Sequence, residues 1–175
     1  MTLVRTSLLF SLFLALAFAL PATAAADGPD LTGTYSYDGD SSDNMVEAFE
    51  PAINEMSRLR RGFARRRVAN QPDPPAQIRI QQSDDEIVIR SGDNPTLTAP
   101  LDGRTVDYVN ADGETEKVSA RIDGNAVRIH RDFEDGEYLV RYSLANDGQR
   151  LVIATEIDMD ALPLKVDYRR IYNRD

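Results

Sequence analysis

The chain has no cysteine, no tryptophan and a single histidine, His130. Without cysteine there is no disulfide framework, no thiolate nucleophile and no thiol for a lipid anchor. No Gly-x-Ser-x-Gly elbow and no glycine-rich phosphate loop occurs either. His130 alternates with Arg128 and Asp132 on the polar side of a strand-like run, the setting of a solvated side chain and not of a catalyst or metal ligand. No enzyme, metal or cofactor is expected from this inventory. The lack of tryptophan also counts against a membrane-spanning barrel, whose rims carry aromatic girdles, and the apolar/polar runs are about seven to nine residues where a span needs about nine to eleven.

One long apolar run is present, Leu8 to Leu20, preceded by Arg5 and followed by Pro21 and the small residues Ala22 to Ala26. This is the layout of a cleaved secretory signal, too short to span a bilayer comfortably. Cleavage is expected between Ala24 and Ala26. Residues 1–26 are then removed, and 27–175 form one soluble domain in the periplasm or outside the cell. That domain carries 19 basic and 29 acidic residues, a formal charge of −10. Such a balance excludes a nucleic-acid partner, whose phosphates require a basic surface. The positive charge is concentrated: Arg58, Arg60, Arg61, Arg65, Arg66 and Arg67 stand together with no acid among them, leaving 13 basic residues against all 29 acids elsewhere.

Five Asp-Gly pairs, at Asp102, Asp112, Asp123, Asp135 and Asp147, start 10, 11, 12 and 12 residues apart. Each lies between short alternating runs, which predicts type I′ hairpins and an up-and-down antiparallel meander. One face collects Ile78 and Ile80, Ile87 and Ile89, Val106 and Tyr108, Val118, Ala120 and Ile122, Val127 and Ile129. It continues with Tyr138, Val140, Tyr142 and Leu144, then Leu151, Ile153 and Ile157, then Leu164, Val166 and Tyr168. The other face carries Arg79, Arg90, Arg121, Arg128, Arg141, Lys165 and Arg169 among acids and hydroxyls. Period-two alternation of this kind means one buried and one wet face. With a first strand at 31–37 and a short one near 96–99, nine or ten strands are expected.

A helical insertion follows the first strand, over about 43–67. Met45, Phe49, Ile53, Met56, Leu59 and Phe63 recur at the helical period, and Asp43 or Ser42 is the expected N-cap. Pro51 predicts either one kinked helix or two short helices broken near Glu50. Pro72, Pro74 and Pro75 make 69–75 an extended linker. The arginine-rich stretch has two readings: a basic amphipathic helix that lies on anionic membrane through Arg58, Arg61, Arg65, Arg66 and Arg67, or a barrel cap whose arginines pair with acidic rims. The second is preferred here.

The inward rows have few polar members: Arg131, Thr155, Arg170 and Tyr172, beside Tyr142 and Tyr168. No carboxylate is placed on them. An inward arginine needs a carboxylate, an aromatic face, backbone carbonyls or a bound anion. Asp38, Asp40 and Asp43 break the spacing of a calcium loop and read as turn and capping residues.

Leu31 to Tyr35, with Gly33 and Tyr35, resembles the first-strand Gly-x-Trp motif of the lipocalins, with tyrosine in the tryptophan's place. The strand–helices–meander order and the last-strand Arg170-Ile171-Tyr172 are similar to fatty-acid-binding proteins. Both belong to the calycin superfamily. The resemblance implies a lipocalin-like β-barrel of 8–10 strands with an α-helical insertion after the first. The lipocalin pattern implies a structural closed-end contact of Arg169 or Arg170 with Gly33 and Tyr35. The fatty-acid-binding pattern implies that Arg170 and Tyr172 hold a ligand carboxylate. The structural role is preferred for Arg170, because closed-end packing needs no ligand.

The expectation is an exported, monomeric, non-enzymatic barrel that binds a small hydrophobic molecule, such as an acyl chain, in its lumen. Its candidate binding residues are Arg170, Tyr172, Arg131, Tyr168, Tyr142 and Thr155. The alternative is a packed barrel acting through its surface as an envelope partner or inhibitor.

Overall fold

The computed structural model describes residues 28–175, so the cleaved signal expected at residues 1–26 lies outside the described residues. Ten strands follow one another: β1 (Gly33–Asp38), β2 (Gln77–Gln82), β3 (Glu86–Ser91), β4 (Leu97–Pro100), β5 (Asp102–Val109), β6 (Thr115–Asp123), β7 (Ala126–Phe133), β8 (Gly136–Ala145), β9 (Arg150–Met159) and β10 (Val166–Arg174). Two helices, α1 (Met45–Glu55) and α2 (Arg58–Ala69), are inserted after β1.

All ten strands form one antiparallel sheet in the order β4-β3-β2-β1-β10-β9-β8-β7-β6-β5. Neighbours in sequence are neighbours in space, except that β1 pairs with β10, Tyr35 opposite Arg174 and Tyr37 opposite Tyr172. The edge strands β4 and β5 touch without a hydrogen-bonded ladder, which leaves the barrel nearly closed. The expected apolar rows face inward, the inverse of a barrel that presents its apolar face to lipid. Tyr35, Ile80, Ile87, Val118, Val127, Ile129, Leu151 and Tyr172 are among the core side chains. Each aliphatic side chain removed from water contributes about 2 kcal/mol. Ile122 and Leu164, expected inward, are partly exposed: Leu164 falls in the turn before β10, and Ile122 sits near the β6–β7 turn, where Gly28 backs onto it.

The turns differ from the expected type. Type I′ needs positive φ at both loop positions, and of the five pairs only Asp147-Gly148 has it, at 53° and 86°, within a longer loop. Elsewhere positive φ falls on the glycine alone. Asp102-Gly103 lies inside β5, where the register slips between Asp102 and Thr105, and the loop joining β6 to β7 is Gly124-Asn125. The pairs mark where strands end or bulge, since one glycine is sufficient for a bulge or longer loop.

The insertion also departs from expectation in detail. Asn44, not Asp43 or Ser42, caps α1, accepting from the Val46 and Glu47 amides at 2.9 and 3.3 Å. Ser42 and Asp43 instead accept from the Ile171 and Arg169 amides of β10, both at 2.8 Å, which ties the insertion to the sheet. Pro51 sits inside a continuous α1, and the chain breaks at Met56-Ser57, where both residues are extended. Helix α1 is held by Phe49, Ala52 and Ile53, which pack on Ile157, Val166 and Tyr168 of β9 and β10. That burial offsets the donor lost at Pro51.

Candidate functional site

The closed end of the barrel is built around Tyr35. Its ring folds back over Gly33, so close that a Cβ there would lie 3.1 Å from the ring, and its hydroxyl donates to the Leu31 carbonyl at 2.8 Å. The arginine above the ring is Arg174, with its guanidinium 5.1 Å from the ring centre and its Nη2 donating to the Tyr35 hydroxyl at 2.8 Å. Neither Arg169 nor Arg170 takes this place. Parity puts Arg170 and Arg174 on the same side of β10, and the β1–β10 register brings Arg174, not Arg170, opposite Tyr35. Arg169 faces outward against Asp43.

Arg170 is therefore free of the structural role preferred for it. It points inward and stacks over Tyr168, 5.2 Å from the ring centre, with its Nη2 3.8 Å from the Met45 sulfur of α1. Among the described residues no carboxylate bonds to it. It lines a cavity of about 350 Å³ with Tyr37, Ser42, Met45, Val68 and Pro72, at the opening between the helices, the proline-rich linker and the barrel wall. Tyr172, one inward step further along β10, is fully buried, stacks on Tyr37 at 5.3 Å and has a hydroxyl with no partner. Burial pushes its phenol up to about 12.

Arg131, three strands away from Arg170 in the sheet order, is fully engaged. Its Nε and Nη2 meet the Glu116 carboxylate at 2.7 and 2.9 Å, and Asn110 donates a third bond to the same carboxylate at 2.9 Å. The guanidinium lies between the rings of Tyr108 and Tyr138, 5.4 and 5.7 Å from their centres. Glu116 is only 3% exposed. The expectation that no carboxylate faces inward is thus corrected. Glu116 precedes Val118 and Ala120 by one and two inward steps, so the alternation itself carried the signal.

Tyr142 lies between these groups. Desolvation pushes its phenol up to about 12, yet the side chain is only half-buried, as are Tyr108, Tyr138 and Thr155. Tyr142, Tyr168, Thr155, Arg131 and Arg170 sit together on the interior wall, on β7 to β10. Tyr172 adjoins them from the packed side.

The arginine-rich helix does not behave as a cap. Leu59 is 94% and Phe63 64% exposed, and α2 has no buried residue. Only Ala64 and Val68 pack partly against α1 and the sheet. Arg65 pairs with Glu50 of α1 at 2.8 Å and Arg61 donates to the Met56 carbonyl at 2.9 Å, whereas Arg58, Arg66 and Arg67 have no acidic partner among the described residues. The rim pairing expected for the cluster is realised by Arg65 alone, and with a helix, not a rim.

The sequence matches no family model and no curated protein. Solved structures share the fold. Apo lipid binding protein 8 of Caenorhabditis elegans aligns at 15% identity over 83% of this chain and 96% of its own, with a TM-score of 0.55. Fatty-acid-binding protein 1 of Echinococcus granulosus aligns at 14% over 82% and 96%, with a TM-score of 0.53. Human cRBP IV aligns at 18% over 83% and 98%, with a TM-score of 0.52. The fold is the one these structures share, a nearly closed antiparallel barrel of ten strands with two helices after the first.

The two last-strand arginines have separable roles. Arg174→Ala should lower stability by about 2 kcal/mol, from the lost hydrogen bond and cation–aromatic contact. Arg170→Ala should leave the unfolding midpoint nearly unchanged. Urea unfolding of both variants checks this, and an equal loss in both would contradict the assignment.

Proposed function

We propose that this protein binds a small amphiphile with an anionic head, of the fatty-acid kind, inside the barrel, as an exported and non-enzymatic carrier in the periplasm or outside the cell. The observation that carries the reading is Arg170, an inward cation to which no carboxylate of the described residues bonds, lining a cavity beside α1 and α2 whose wall also carries Asp43 and Asp73. An unpaired inward guanidinium is costly unless an anion completes it. The cavity of about 350 Å³ falls within the usual range for small-molecule sites. The inward rows of the barrel are aromatic and aliphatic, suited to an acyl tail, with Thr155 and Tyr142 as their hydroxyls. Fatty-acid- and lipid-binding proteins share the fold, and the low identity makes that support a matter of architecture. The signal-like run at Leu8 to Leu20 supports export.

Helix α2 supports contact with anionic membrane. On a helical projection Leu59 and Phe63 share the outer side with Arg66 and are flanked by Arg60 and Arg67, while Ala64 and Val68 turn to the protein. Two large apolar side chains left in water within a basic surface suit an interface of anionic headgroups over acyl chains.

Native mass spectrometry of protein purified from its own compartment should show a lipid-sized adduct, and Arg170→Ala should weaken uptake of a fluorescent fatty acid by about tenfold or more. A clean apo mass with no probe uptake would contradict carriage. For the membrane contact, sedimentation with vesicles should show binding to anionic but not to neutral lipid, lost at high salt and in the Leu59→Ser, Phe63→Ser double variant. Equal binding to neutral vesicles, or none to either, would count against it.

A further inference from the structure

Beside Arg174 at the closed end, two further inward arginines, Arg170 and Arg131, are treated differently by the rest of the molecule. Arg170 has a thioether and an aromatic ring beside it, and no carboxylate among the described residues. Arg131 has a carboxylate bonded to two of its nitrogens, and that carboxylate is fixed by a third donor from Asn110. The ladder builds this arrangement. Pairing of β5 with β6 sets Tyr108 beside Glu116, and pairing of β6 with β7 sets Val118 beside Arg131, so Glu116 and Arg131 meet on the diagonal with the Tyr108 ring against them. The guanidinium is gripped between two rings and one acid, and the acid is almost wholly buried.

We propose that Glu116 is a specificity-determining residue: it blanks the cation Arg131, so that the barrel takes amphiphiles with one anionic head, at Arg170, and discriminates against those with a second anion that would have to meet Arg131. The inference rests on the reading of the lumen as the binding site. A second ligand carboxylate could reach Arg131 only by displacing Glu116, which would then be left charged, buried and without its partner. That state is strongly unfavourable compared with the intact pair. The ring pair around Arg131 keeps its apolar surface available to a hydrocarbon tail, so the same corner accepts a methyl end and refuses a carboxylate. Selection here works by penalising the wrong ligand, without any added contact to the right one.

The test compares fatty acids with α,ω-dicarboxylic acids of the same graded chain lengths, measured by displacement of a fluorescent acyl probe from the wild type, Glu116→Gln, Asn110→Ala and the Glu116→Gln, Arg170→Ala double variant. In the wild type the fatty acid of each length should bind more tightly than its diacid. Glu116→Gln keeps the shape and removes the charge, and it should shift the preference toward the diacid of best length by about tenfold, the worth of one charge-assisted hydrogen bond. Affinity for the fatty acid should change little. Asn110→Ala, which only loosens the carboxylate, should shift the preference in the same direction by less. The double variant should lose most of the diacid gain, because one of its two anchors is gone.

A structural role alone would lower the melting temperature without moving the fatty-acid-to-diacid ratio. An unchanged ratio in every folded variant, with fatty-acid binding intact, overturns the inference and leaves the proposed function standing. Failure of the wild type to bind any acid overturns both. If Glu116→Gln does not fold, as circular dichroism would reveal, the ratio in Asn110→Ala decides the matter.

Discussion

Pairing of the first strand with the last is the contact on which everything else depends. Without it β1 to β4 would be one small meander and β5 to β10 another, because β4 and β5 are joined in sequence but not by a ladder. The seam is short, and Tyr35 anchors it. Its ring is seated on Gly33, its hydroxyl bonds the Leu31 carbonyl, and Arg174 covers it from β10. The chain end adds Asp175, which bonds Ser36 at 2.6 Å and Gln77 at 3.0 Å. Once the seam is formed, each inward row faces another inward row and the apolar side of a long sheet is removed from water without a second layer.

The seam also fixes the site. It sets the register of β10, and the register decides that Arg174 serves the closed end while Arg170 comes under α1. Ser42 and Asp43 hold β10 from the insertion side, so the helices are positioned over the opening by the same strand that carries the arginine. Helix α1 spends its apolar face on β9 and β10. Helix α2 spends almost none of its own, and this division leaves one helix as wall and the other as surface.

Sidedness was legible from the sequence because alternation is a local property: Ile78 and Ile80, Ile87 and Ile89, Val118 and Ala120, Val127 and Ile129, and Val140, Leu151, Ile153 and Ile157 lie inside as their period requires, and Ile122 at a strand end does not. Arg131 and Arg170 were legible for the same reason, as polar members of inward rows. Glu116 was missed although its parity is inward, because a carboxylate is buried only where a partner makes that tolerable; the partner is Arg131, and that contact is not local. Arg174 was missed because parity cannot choose between inward arginines, and the choice belongs to a register set across 139 residues. Turn type and the N-cap failed for a smaller reason: one glycine, or one asparagine a residue later, satisfies the same backbone demand. The exposure of Leu59 and Phe63 could not be read either, since a helical stripe has the same period whether a partner covers it or not.

The central claim is that the inward rows around Tyr142 receive an acyl chain. Nuclear magnetic resonance on the protein with selectively labelled tyrosine and threonine, recorded as laurate is added, tests it most directly. The account predicts that signals of Tyr142, Tyr168 and Thr155 move or broaden with saturable dependence while those of outward residues such as Thr98 and Thr105 stay in place. Shifts confined to the outer surface, or interior signals indifferent to laurate, would contradict it.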